Sequence, residues 1–253
     1  PVTGRLAEGY SGHGRLPVPD EIVTRVQEFL SQRGQLAGKR VVVTAGGTRE
    51  PLDPVRYIGN RSSGKMGIAI ARAAAQAGAQ VTLITGQVSV SLPQDANIHP
   101  VSALTTEEML AAVQEAFVSA DALIMAAAVA DYRPVKVAEQ KVKKGHDHEL
   151  RTLELTETVD ILRTIAVAKR TDQLVVGFAA ETEKLLDHAQ EKLASKHADM
   201  IVANSVAGAT GAFGRDDDQV TILQKGKNPE KWPRLSKTAV AQRLVARLAE
   251  QLK

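Results

Sequence analysis

The chain has 253 residues, 43% hydrophobic and 24% charged, with a net charge of +3 from 32 Lys and Arg against 29 Asp and Glu. That length supports one large domain with a substantial core. Zero cysteines exclude a disulfide framework, a cysteine metal site and a cysteine nucleophile, as expected of a cytoplasmic protein. Four Phe, three Tyr and one Trp are too few and too scattered for base stacking, so no nucleic-acid partner is expected. No apolar run is long enough to cross a bilayer, and no membrane association or secretory leader is expected.

Residues 1–17 are rich in Gly and Pro and read as an extended arm. From Pro19 to Arg33, the spacing of Ile22, Val23, Val26, Phe29 and Leu30 predicts a helix, stopped at Gly34. The β-branched run Lys39–Ala45 predicts a buried strand, followed by a long polar loop and an Ala-rich helix from about Ser63 to Gln76. Gln80–Thr85 and the weaker Asn97–Val101 read as strands, Thr105–Ser119 as a helix, and Asp121–Ala126 as a fourth strand. Residues 131–156 hold a loop and a hairpin, with alternation from Glu149 to Leu155. Helices at Val159–Ala168, Thr182–His197 and Ser236–Leu252 then alternate with strands at Gln173–Phe178, Asp199–Ala203 and Gln219–Leu223. This alternation predicts a doubly wound, mainly parallel α/β sheet of the Rossmann-like kind, with helices on both faces and a flap insertion. Residues 1–36 read as an arm and linker helix, and 37–253 as the domain proper. The start at Pro1 rather than Met reads as a piece cut from a longer polypeptide or as a processed chain.

The unusual residues cluster where strands of such a sheet end. GGTREPLDPVR (46–56) and YIGNRSSGKMG (57–67) follow the first strand, AAAVADYR (126–133) the fourth, and FAAET (178–182) and Asn204 later ones. Gly59–Met66 reads G-x-x-x-x-G-K-M, which lacks the Mg²⁺-binding Ser or Thr of a P-loop. Ser62, Ser63 and Gly64 still open a helix, where free N–H groups and the dipole attract an anion. Side-chain capping alone does not call for Gly64, Lys65 and Gly67 together, so a phosphate site is the better reading. The G-x-G-x-x-G spacing and ribose-binding carboxylate of a nicotinamide enzyme are missing, which leaves an NAD(P)-dependent oxidoreductase as the weaker alternative. A non-catalytic nucleotide-binding subunit is another.

Lys136, Lys141, Lys143 and Lys144 form a basic run that reads either as solvated surface or as a mobile flap over an anionic substrate. His146, Asp147 and His148 lack further metal ligands in register. Asp216–Asp218 reads as an acidic turn before a strand, and Trp232 as packing. Asp131, a carboxylate at the end of an apolar strand, needs a partner: a ribose hydroxyl, a base amine or Mg²⁺.

Taken together, TAGGTREPLDPVRYI (44–58), Asn60–Gly67, Ala126–Arg133, KVKK (141–144) and VGFAAET (176–182) resemble phosphopantothenoylcysteine synthetases in sequence and order. The resemblance covers about Gly38 to Leu252. In bacteria this domain is usually the C-terminal half of a bifunctional protein. The resemblance therefore implies a fused, FMN-dependent decarboxylase upstream. It also implies a ligase that joins 4′-phosphopantothenate to L-cysteine through an acyl-cytidylate, with CTP as co-substrate, Mg²⁺, and release of CMP and pyrophosphate.

By position, Gly46, Gly47, Ser62, Ser63, Gly64 and Lys65 would hold the triphosphate, helped by Lys192 and Lys196. Ala127 and Asp131 would meet the cytidine, with Phe178 and the Val159, Asp160, Ile161, Leu162 segment around it. Asn60 would hold the acyl-cytidylate, with Arg56 and Asn204 beside the acid. Lys141 would be the flap lysine for the second half-reaction, and Asp131 the candidate metal contact. Thr158-Val159 stands where bacterial members tend to carry Asn-Pro, so the loop before Asp160 departs from the family pattern. A homodimer that pairs through residues 80–103 is also expected.

Overall fold

A computed structural model describes residues 2–5, 11–23, 34–143, 152–181, 184–205 and 215–252. Its central elements are β1 (Arg40–Ala45), α1 (Lys65–Gln76), β2 (Gln80–Thr85), β3 (Ile98–Ser102), α2 (Thr106–Phe117), β4 (Ala122–Met125) and α3 (Ile161–Ala168). They continue with β5 (Leu174–Glu181), α4 (Leu185–Ser195), β6 (Met200–Ser205), β7 (Val220–Gln224), β8 (Glu230–Lys231) and α5 (Lys237–Gln251). The sheet runs β8-β7-β6-β5-β4-β1-β2-β3. The first six strands are mutually parallel, while β7 pairs antiparallel with β6, and β8 with β7. The chain winds outward from β1 to β3, crosses back, and winds the other way from β4. Strand order therefore reverses between β1 and β4, where an open α/β sheet forms its ligand crevice.

Period-2 alternation divides the core between the two faces. Val41, Val43, Ile124, Val176 and Val202 point to the layer of α1 and α5. Val42, Leu123, Val175 and Ile201 point to the layer of α2, α3 and α4. Each fully buried Leu or Ile, such as Leu83 or Ile124, contributes about 2 kcal/mol. Trp232 is a core residue: its indole N–H donates to Glu230 at 2.9 Å, and Arg243 lies over its ring at 4.7 Å.

Several boundaries differ from the sequence reading. α1 begins at Lys65 rather than Ser63, because Gly64 has φ +77° and stands outside the helix as its N-cap. α2 starts after Thr105, whose hydroxyl accepts from Glu108 N at 3.1 Å while Glu108 accepts from Thr105 N at 3.0 Å. That reciprocal pair is a capping box. β5 runs three residues past Phe178, since pairing with β6 recruits Ala179–Glu181 despite their low strand propensity. α4 is framed by two residues in the left-handed region, Lys184 and His197, which shortens it relative to the expected Thr182–His197; Thr182 itself lies outside the described residues.

The polar loop after β1 contains a hairpin, Arg49–Pro51 with Tyr57–Gly59, and the arm contains another, Val2–Arg5 with Ser11–Arg15. Neither carries the apolar alternation that marks a half-buried strand. The expected strand at 149–155 is displaced: Leu155–Glu157 pairs with Tyr132–Pro134, and residues 149–151 lie outside the described set. Of the helix expected over 19–33, residues 19–23 are described and helical.

Candidate active site

At the switch point the strand ends open into a cleft of about 950 Å³. One wall is the amino terminus of α1. No side chain caps this helix. Ser62 and Ser63 instead accept locally from Gly64 N at 3.3 Å and Lys65 N at 3.5 Å. Met66 and Gly67 line the cleft at its first turn. Gly67 is dictated by packing: a Cβ there would stand 2.6 Å from the Thr44 carbonyl oxygen. The first turn of α1 thus rests directly on the end of β1.

The second wall is the loop after β4. Ala127 N donates to Thr44 Oγ1 at 3.1 Å, and Ala130 N donates to Thr48 Oγ1 at 2.8 Å. Buried Glu50 accepts from both Thr106 N (2.9 Å) and Thr106 Oγ1 (2.7 Å), a carboxylate at the positive end of α2. Asn60 Nδ2 donates to Val129 O at 2.8 Å, closing the α1 approach onto this loop. Thr158 joins the same loop from the other side, donating through Oγ1 to Ala130 O (2.6 Å) and through its N–H to Asp131 O (2.9 Å). Thr158 is therefore a staple between two site loops.

The third wall comes from α3, α4 and β5. Asp160 caps α3 by accepting from Arg163 N at 3.0 Å, and its other oxygen accepts from Lys196 Nζ. Burial pushes the Asp160 carboxyl up, but the Lys196 bond and the Arg163 N–H outweigh it, and the net shift is downward. Burial lowers the Lys192 ammonium, with Glu181 opposing the shift. Phe178, on β5, lines the cleft as well.

The far end holds Lys65, Asp218, Asn204 and Lys237. Lys65 Nζ pairs with Asp216 at 2.6 Å. Asn204 Nδ2 donates to Asp218 at 2.9 Å.

The cleft thus gathers Asn60, Ser62, Ser63, Gly64, Lys65, Ala127, Asp131, Val159, Asp160, Ile161, Leu162, Phe178, Lys192, Lys196 and Asn204. Four expected site residues lie off it. Gly46 and Gly47 sit behind the wall, where Gly47 N donates to Gln87 O at 3.0 Å and a Cβ on Gly46 would meet that same oxygen at 2.5 Å. Their glycines serve a close backbone approach. Arg56 is engaged by Asp53 and donates to Val142 O at 2.6 Å. Lys141 is exposed on the flap. Lys144, His146, Asp147 and His148 lie outside the described residues.

Two features escaped the sequence reading. Asp53, with a fully buried side chain, accepts from Val55 N, Arg56 N, Arg56 Nε and Val142 N. Arg56 above all, with these N–H groups, holds its carboxyl below the usual range. It pins the root of the flap next to Lys141. Val142 lies 89 residues away in sequence, so no local pattern announced the contact. Asp218 and Lys237 were also missed. The acidic run 216–218 was visible, but not which carboxylate turns inward.

Among the described residues, no group of three or more His, Cys, Asp or Glu is placed to hold a metal ion. Nor is any helix long and apolar enough to cross a membrane.

Fold and site together define a doubly wound α/β domain whose switch-point cleft joins an uncapped helix terminus to a cationic wall, a design suited to an anionic ligand. Residues 36–252 match the family described as DNA/pantothenate metabolism flavoprotein C-terminal domain, and the chain belongs to that family. The coenzyme A biosynthesis bifunctional protein CoaBC of Vibrio cholerae is 42% identical over 252 residues, covering 100% of this chain and 62% of its own length. A crystal structure of the C-terminal domain of a CoaBC protein superposes with TM-score 0.71 at 38% identity, covering 87% of this chain and 98% of that one. A Cab2 complex with phosphopantothenate-cysteine shares the fold, at TM-score 0.70 and 17% identity over 94% of this chain and 96% of its own. The resemblance carried by the site loops is thereby established. The chain spans about three fifths of the length of the CoaBC relatives it matches.

Proposed function

We propose that this domain is the ligase of a coenzyme A biosynthesis protein, joining the carboxylate of 4′-phosphopantothenate to the amine of L-cysteine with MgCTP as energy source. The observation that carries the reading is the uncapped α1 terminus facing Lys192 and Lys196 across the cleft of a chain in this family. The N–H groups at the start of α1 are suited to phosphate oxygens, and the two lysines to the rest of the triphosphate. The Ala127 backbone and Phe178 would flank the base, and Asp131 the ribose, the base amine or Mg²⁺. The amide of Asn60 retains one N–H and Oδ1 for the acyl-cytidylate.

In the first step the acid carboxylate oxygen attacks the α-phosphorus of CTP, and the bond to pyrophosphate breaks. In the second, the cysteine nitrogen attacks the acyl carbon and CMP departs with the bonding electrons. Lys141, brought over by flap closure, would meet the negative charge that builds on the carbonyl oxygen. The remaining parts of the reading are a cytoplasmic location, an upstream FMN-dependent decarboxylase in the parent protein, and a homodimer formed at β3, an edge strand of the sheet.

The test is a nucleotide panel with 4′-phosphopantothenate and cysteine, read by mass. The expected products are phosphopantothenoylcysteine, CMP and pyrophosphate, from CTP. CDP and phosphate would indicate an acyl phosphate instead and remove the cytidylate.

A further inference from the structure

Behind the loop after β4 lies a line of buried polar groups. Ala130 N donates to Thr48 Oγ1 at 2.8 Å, the Thr48 and Thr106 hydroxyls meet at 3.4 Å, and Thr106 Oγ1 donates to Glu50 at 2.7 Å. Thr48 is 1% exposed, Thr106 2% and Glu50 3%. A hydroxyl has one proton to give. That of Thr106 is engaged by the Glu50 carboxylate, so Thr48 is the donor at the middle contact. The Thr48 oxygen in turn accepts from Ala130 N. The chain therefore runs one way, from the Ala130 amide to the Glu50 carboxylate, and each link polarises the next.

We propose that Thr48, Thr106 and Glu50 are positioning residues of the cleft. Their chain holds the 127–131 loop where its main chain and Asp131 meet the nucleotide. This deepens the ligase reading and rests on it.

Two arguments lead there. Ala127, Ala128, Val129 and Ala130 all line the cleft, yet none carries a polar side chain. Whatever this stretch recognises before Asp131 is recognised by its backbone, and backbone recognition depends on where the backbone stands. The second argument concerns Glu50. The start of α2 is already closed by the Thr105–Glu108 capping box, with Glu107 and Glu108 in its first turn. A further carboxylate buried there costs desolvation and adds little that the helix needs. Its bond to the Thr106 hydroxyl, however, leads on through Thr48 to the loop. Valine at 48 would fill nearly the same space; what the hydroxyl adds is the hold on Ala130 N.

The experiment uses the full chain and measures MgCTP binding by calorimetry, with KM for L-cysteine at saturating MgCTP and 4′-phosphopantothenate. Thr48→Val leaves the buried Ala130 amide without its acceptor and is expected to weaken MgCTP binding about tenfold. Thr48→Ser restores the hydroxyl and should bind within about twofold of the parent. Glu50→Gln ends the chain on a neutral acceptor and should weaken binding about threefold. The cysteine KM should stay nearly constant throughout. Parent-like MgCTP binding by a Thr48→Val chain that has lost stability in urea would show a structural role only and overturn the proposal. So would a Thr48→Ser chain that fails to rescue, or a cysteine KM that rises as far as the MgCTP dissociation constant. If circular dichroism shows Thr48→Val unfolded, Glu50→Gln decides alone, and unchanged binding by it overturns the proposal. A parent chain that binds no nucleotide defeats the ligase reading instead, so the two failures are distinguishable.

Discussion

The two walls that face an incoming anion are built by different means. At the α1 end the wall is backbone: an uncapped helix terminus set by Gly64 and Gly67 against the end of β1. At the α3 and α4 end it is side chain: Asp160 holds Lys196, and Lys192 stands half-buried in their field. A backbone wall is fixed by sterics and is insensitive to salt. A wall of charges is tunable but depends on protonation and screening. The comparison also reassigns the glycine-rich signature. Gly46 and Gly67 are required by close approach to Gln87 and Thr44, so part of what reads as a phosphate loop is packing.

Breaking the backbone wall gives the largest expected effect. In Gly67→Ala the new methyl would meet the Thr44 oxygen and the Ala45 Cβ, each at 2.6 Å. Neither is the far end of a flexible side chain that could move away. Stability should fall by about 3 kcal/mol, read as a lower midpoint in urea with an unchanged slope. A loss below about 1 kcal/mol would mean that α1 can slide on β1.

The flap comes next. Lys141→Gln should still release pyrophosphate from CTP and the acid, but form amide about 100-fold more slowly. Lys143→Gln is the control. If pyrophosphate release falls as far as amide formation, Lys141 belongs to the nucleotide wall instead. Asp53→Asn should act in the same direction but more weakly, because it frees Val142 N and Arg56 without removing the lysine. The folded-state carboxyl of Asp53 is held low. Its stabilising contribution is therefore complete above the unfolded value, about 3.9, and lost as pH falls below it. Asp53→Asn should flatten the acid limb of the stability profile, measured by urea unfolding from pH 6 to pH 2.

What could be read from the sequence follows the same division. The strands of β1 and β4 announced themselves as β-branched or apolar runs, and the glycines and serines of 46–67 as loop and helix-start signals, because those depend on neighbours in the chain. The hairpin at 49–59 did not, since its pairing carries no apolar alternation. Contacts across long separations were also silent. Asp160 meets Lys196 across 36 residues, and Asp218 meets Asn204 across 14. The composition shows that such charges exist, but only the winding of β5, α4 and β6 decides which of them meet. Arg56 illustrates the cost of a position read without its partner: the buried Asp53 three residues away takes its guanidinium.

The smallest expected effect sharpens the comparison from the charged side. Asp160 does two things at once: it caps α3 through Arg163 N, and it holds Lys196. Asparagine keeps the first and loses the second; alanine loses both. Asp160→Ala should therefore cost about 1 kcal/mol, the usual value of a lost N-cap, and Asp160→Asn only a few tenths. Their pH profiles separate cap from charge. The Asp160 carboxyl sits below its ordinary value, so the ion pair adds stability above about pH 3.9 and loses it as the carboxyl protonates in more acid solution. Both variants should lack that acid-limb component, and added salt should narrow the gap between parent and Asp160→Asn. The Gly67→Ala penalty should not respond to salt or pH, since it comes from a methyl against a carbonyl. Equal salt dependence in the two cases would show that the walls are not independent, and that the α1 terminus relies on the charges opposite to hold its place.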